Sequence, residues 1–179
     1  MNSTVSKSYL KVFCLSLLTL IISCKKDMKT QPENALLQEW QGPYGGVPAF
    51  DKMSVSDIQS AVETGMELNL AEIEAIANST EPATFENTIA AMERSGAELD
   101  RVFSYYGIMS SNMSSPEFRK VQGVLAPKLS EFSSKINQNK ALFNRIKAVY
   151  DASMTTPLDA DQQRVVELTY NSFAMRGAE

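Results

Sequence analysis

Residues 84–106, TFENTIAAMERSGAELDRVFSYY, carry the most regular apolar pattern in the chain. Phe85, Ile89, Met92, Gly96, Leu99, Phe103 and Tyr106 follow one another at steps of four and three. Such steps keep a stripe on one face of an α-helix, the seam along which antiparallel helices pack. Arg94, Glu98 and Arg101 fall on the opposite face, within pairing distance of one another. The spacing predicts one helix running from Thr84 through Tyr106. Gly96 lies inside the seam, where glycine costs about 1 kcal/mol relative to alanine, so a close helix crossing is expected there.

Helical spacing continues on both sides. Upstream, Ile58, Val62, Met66, Leu70 and Ile73 form a stripe after Ser54 and Ser56, either of which can cap it, and EPAT at 81–84 marks a turn. Downstream, Ser115 before Pro116 is a helix start, because proline at the first helical position gives up no hydrogen bond. Phe118, Val121, Leu125, Leu129, Phe132 and Ile136 follow, with Pro127 among them, which is expected to kink or divide the helix. Asn137-Gln138-Asn139 ends it. Leu142, Phe143, Ile146 and Tyr150 mark a short helix, and Asp159 with Gln162 three residues on makes a variant capping box for a last one. No strand alternation of useful length follows the leader, so the expected class is all-α, with antiparallel helices.

Residues 34–53, NALLQEWQGPYGGVPAFDKM, read differently. Gly42, Pro43, Gly45, Gly46 and Pro48 forbid a regular helix or a central strand. Leu36, Leu37, Trp40, Tyr44 and Phe50 are too apolar for a free linker. An extended arm pinned onto the helices by its aromatics is the expectation.

The front of the chain has the layout of an export signal: Lys7 and Lys11, then the apolar run through Cys14, then a small residue before Cys24. The run is short for a membrane span. Ile21-Ile22-Ser23-Cys24 resembles the bacterial lipobox, which implies cleavage between Ser23 and Cys24 and lipidation of Cys24. An uncleaved signal anchor or a buried helix is the other reading of the run. The division expected is a signal peptide over 1–23, a polar tether over 24–33 and a helical domain over 34–179. Lipid chains add about 0.8 kcal/mol per buried methylene, so a multiply acylated Cys24 holds the protein on a membrane. Lys25, rather than aspartate, after the cysteine points to an exported lipoprotein on the periplasmic side of the envelope, at the outer membrane.

Charge and residue usage exclude several functions. The chain has 17 basic and 21 acidic residues, a formal net charge of −4, which becomes −6 once Lys7 and Lys11 are removed. That sign repels phosphate backbones, and no basic cluster with interleaved aromatics occurs, so no nucleic-acid partner is expected. The chain contains no histidine. Serine triads, cysteine–histidine pairs and helical histidine zinc sites are therefore excluded within it. Glu63, Glu67, Glu72 and Glu74 form the densest carboxylate group, and Glu63 and Glu67, four apart, are a conceivable metal pair; a solvated helix face is the plainer reading. Asp57, Glu86, Glu93 and Asp100 read as solvated too, and Tyr105 and Tyr106 as core or rim. GPYGG at 42–46 lacks the lysine and the preceding strand of a phosphate loop. No catalytic residue and no metal ligand is assigned.

TFENTIAAMERSGAELDRV resembles an early helix of the thimet oligopeptidase family of zinc metallopeptidases, particularly its bacterial peptidyl-dipeptidase Dcp and oligopeptidase A branch. Residues 34–53 are similar to that branch's N-terminal arm, with Ala35 in place of a proline and further departures at Gly46 and Ala49. LAPKLSEFSSKINQNKALFNRIKAVYD and LDADQQRVVELTYNSFAMRGA resemble consecutive later segments, in order. The resemblance implies a mostly helical fold around a deep channel that admits short peptides. It implies zinc as cofactor, held by a His-Glu-x-x-His helix and a downstream glutamate, where the metal activates water and the motif glutamate acts as base. None of those residues maps onto this chain, which matches only the first quarter or so of the family. The expectation is an N-terminal portion from a truncated or interrupted frame, forming one wall of the channel, inactive alone and lacking its C-terminal catalytic half. The alternative is a non-catalytic helical lipoprotein that binds a peptide or protein partner. A third is complementation by a separately encoded catalytic half.

Overall fold

Helix starts in this chain are set by single side chains that accept otherwise unpaired backbone N–H groups. The computed structural model describes residues 34–43, 46–156 and 158–177; Ser23, Cys24, the rest of the leader and tether, and Tyr44 lie outside them. Ser115 Oγ accepts from Phe118 N–H at 3.1 Å and Asn139 Oδ1 from Leu142 N–H at 3.0 Å. Asp159 Oδ1 accepts from Gln162 N–H at 2.9 Å. These three caps open α4 (Pro116–Asn137), α5 (Lys140–Ser153) and α6 (Ala160–Met175). Before them come α1 (Val55–Ala77), α2 (Ala91–Arg94) and α3 (Ala97–Ser111). Ser54 stands at the start of α1 but makes no capping bond; its hydroxyl lies 2.7 Å from that of Ser56. No strand occurs among the described residues, and the fold is all-α.

The helix expected over Thr84–Tyr106 is interrupted. Thr84 and Asn87 form a reciprocal capping box, at 3.1 and 2.8 Å, that opens a π-helical stretch, Phe85–Ala90, leading into α2. The chain then breaks at Ser95-Gly96 before α3 begins. Gly96 takes a left-handed backbone, φ +83°, which side-chain-bearing residues rarely adopt. Its N–H donates to the Glu72 carboxylate at 2.7 Å, and a Cβ at Gly96 would come within 2.9 Å of Asn69 Nδ2. The close approach to α1 expected at Gly96 is thus present, at a turn rather than inside a helix, and a second lies at Gly65, where a Cβ would lie 3.0 Å from the Leu99 Cα. Arg101 pairs with Glu98 at 3.0 Å, whereas Arg94 pairs across the π-helical turn with Glu86 at 2.7 Å.

The break also divides the seam between two apolar cores. Phe85, Ile89 and Met92 join Ile73 and Ala77 of α1 with Leu142, Ile146, Val149, Val166 and Phe173 of α5 and α6. Leu99, Val102 and Tyr105 join Ile58, Val62 and Met66 of α1 with Phe118 and Leu125 of α4. Helix α1 is long enough to serve both. Pro127 does not divide α4. Its missing N–H removes the bond to the Gly123 carbonyl, and both residues are exposed, so water can reach that oxygen.

Arg145 is a charged residue on the buried side of α5, 8% exposed. Its guanidinium donates to the carbonyls of Ser79 and Glu81 at 3.0 and 2.8 Å, to Asn87 Oδ1 at 2.9 Å and to Thr88 Oγ1 at 3.2 Å. One side chain thus ties the 79–84 turn and the π-helical entry to α5. Residues ahead of α1 are held in a comparable way. Leu36 is buried, Arg101 Nε donates to the Leu37 carbonyl at 3.0 Å, and the buried Tyr105 hydroxyl accepts the Ala49 N–H at 2.8 Å. Trp40 and Phe50 both meet the Tyr105 ring edge-on, with centroids at 6.5 and 5.2 Å.

Candidate functional site

The densest acidic group in the sequence, Glu63, Glu67, Glu72 and Glu74, sits on α1, whose surface from Glu63 to Leu70 meets α4. Glu63, Met66, Glu67 and Leu70 from α1 and Lys128, Glu131, Phe132 and Lys135 from α4 line a groove of about 200 Å³. Helical spacing explains the lining: each set advances by three or four residues and so stays on one face. Met66, Leu70 and Phe132 give it an apolar floor, and the charged residues stand around that floor.

Glu63 bridges the two helices, 2.5 Å from Lys128 Nζ, and also accepts from Gln59 Nε2 at 3.0 Å. The Lys128 hydrogen bond holds the Glu63 carboxyl below the usual glutamate range, against a smaller opposing push from burial. On α4, Lys135 lies 2.8 Å from Glu131 and lowers that carboxyl as well. Glu67 has no basic partner within ion-pair distance among the described residues.

The remaining carboxylates are scattered. Glu72 is spent on the Gly96 N–H, and Glu74 is exposed two turns beyond Glu67 on α1, outside the groove. Glu86, Glu93 and Asp100 are exposed, Asp57 is half-buried, Tyr105 belongs to the core, and Tyr106 is half-buried against Phe118. Phe132 belongs to the apolar stripe read from the sequence, but the groove lysines carry no such signal, although Lys128, Phe132 and Lys135 share one face by spacing; which face meets α1 is a tertiary fact.

Zinc does not fit these residues. The chain has no histidine, no group of three or more histidine, cysteine, aspartate or glutamate side chains is placed to hold a metal among the described residues, and Glu63 is occupied by Lys128. Among the described residues no helix is long and apolar enough to cross a membrane.

The structure therefore defines a helical domain with a small mixed groove between α1 and α4. Residues 59–179 match the model of the neurolysin/thimet oligopeptidase N-terminal domain, and the chain belongs to that family. It is 32% identical over 146 residues to the dipeptidyl carboxypeptidase of Salmonella typhimurium, covering 82% of this chain and 21% of that protein. The Escherichia coli dipeptidyl carboxypeptidase is 33% identical over 132 residues, covering 74% of this chain and 19% of that protein. The oligopeptidase A of Salmonella typhimurium is 24% identical over 131 residues, at 73% and 19% coverage. The chain thus spans about a fifth of the length of these relatives.

Proposed function

We propose that this chain is the N-terminal helical part of a zinc-dependent oligopeptidase or peptidyl-dipeptidase that acts on short peptides, exported and anchored through a lipidated Cys24. The observation that carries the peptidase reading is the match of residues 59–179 to an N-terminal peptidase domain, together with relatives aligned over only a fifth of their length. The helices form one wall of the peptide channel, and zinc with the residues that activate water belongs to the part of the enzyme that follows. The anchor rests on the Ser23-Cys24 lipobox, and it places the protein on the periplasmic side of the envelope, at the outer membrane.

Purified chain, alone and co-expressed with the C-terminal four-fifths of the Salmonella typhimurium dipeptidyl carboxypeptidase, is assayed for bound zinc and for dipeptide release. Zinc and dipeptide release only with the added part are expected. Stoichiometric zinc with dipeptide release by the chain alone contradicts the proposal.

A further inference from the structure

We infer that the groove between α1 and α4 takes the side chain of a basic residue, arginine or lysine, from a bound peptide; this rests on the peptide-handling role proposed above. Volume sets the first limit. About 200 Å³ is below the roughly 300–1,000 Å³ of sites for whole drug-sized ligands, and matches a single long side chain.

The lining sets the second. Arginine and lysine lay their methylene stems on apolar surface while the charged head stays near water. Met66, Leu70 and Phe132 supply that surface, and the aromatic ring suits a cation better than an aliphatic residue would. Charge sets the sign. Three carboxylates and two ammonium groups line the groove. Glu63 is matched by Lys128 and Glu131 by Lys135, so Glu67 is the carboxylate left for a ligand's cation. An acidic side chain would meet Glu67 uncompensated.

The test uses the full chain and three end-blocked pentapeptides that differ only at the central residue: arginine, leucine or glutamate. Binding is measured by calorimetry, and the bound site is mapped by backbone amide shifts. The arginine peptide is expected to bind most tightly, to move the signals of Glu67 and Phe132, and to lose roughly three- to fivefold in affinity on Glu67→Gln, the size of an exposed ion pair. Glu67 is exposed and makes no core contact, so this variant keeps the fold, and Glu67→Lys is expected to reverse the preference toward the glutamate peptide. Absence of binding, an arginine preference that survives Glu67→Gln, or shifts confined to another surface each overturn the inference. None of those results touches the peptidase proposal, which is decided by zinc and dipeptide release.

Discussion

The Glu72 carboxylate accepts the Gly96 backbone N–H at 2.7 Å, joining the C-terminal part of α1 to the point where the long apolar seam breaks. On one side of that bond the seam feeds the core built with α5 and α6, and on the other the core built with α4. The backbone turn at Gly96 therefore decides which side chains meet.

Gly96→Ala is expected to destabilise the fold by about 1–3 kcal/mol, through the left-handed backbone and the contact with Asn69. Gly107, in the interior of α3 with nothing near its virtual Cβ, is the control: Gly107→Ala is expected to stabilise by up to about 1 kcal/mol. Urea unfolding of the two variants checks the opposite signs. Equal effects would remove the special role given to Gly96.

Arg145→Met is expected to cost about 2–4 kcal/mol, because it takes the donor from Thr88 Oγ1 and from the carbonyls of Ser79 and Glu81, and one of the donors from Asn87 Oδ1. Hydrogen exchange is expected to quicken first across residues 79–90. Uniform quickening along the whole chain would show that Arg145 does not act locally.

Glu63 gives the chain an acid-sensitive tie between α1 and α4. Its folded pKa is depressed, so its contribution is fully present above the unfolded glutamate value of about 4.3 and is lost as pH falls through the lower folded value. The pair is partly exposed, so Glu63→Gln is expected to cost less than about 1 kcal/mol at neutral pH. In strong acid the variant and the parent are expected to unfold alike. A penalty from Glu63→Gln that persists there would contradict the assignment.

Cys24→Ser is expected to move the protein from the membrane fraction to the soluble periplasmic fraction and to abolish incorporation of labelled palmitate. Unchanged fractionation and labelling would show that Cys24 is not the anchor.

Much of the fold was legible because its signals are local. Ser115 and Asp159 each sit three residues before the N–H they accept, and the apolar stripes name one face per helix, whereas Asn139, read only as a helix end, also caps the helix that follows. The break at Gly96 was hidden because the 4–3 spacing passes straight through it. Its cause lies 24 residues earlier, in the Glu72 carboxylate. Gly65 was overlooked for the same reason, since only the arrival of Leu99 reveals why α1 needs a glycine there. Of the groove, Glu63 and Glu67 were visible as a carboxylate pair, but the lysine that neutralises Glu63 comes from a helix 65 residues away. A buried cation with only neutral acceptors, as at Arg145, gives no sequence signal beyond its place among Leu142, Phe143 and Ile146.

The central claim is that this chain is the front of a peptidase, and the most direct test is to sequence the source DNA across codon 179 and well beyond. The frame, or a shifted one, is expected to continue into a His-Glu-x-x-His segment. A stop followed by unrelated sequence would contradict it and leave a helical binding lipoprotein as the reading.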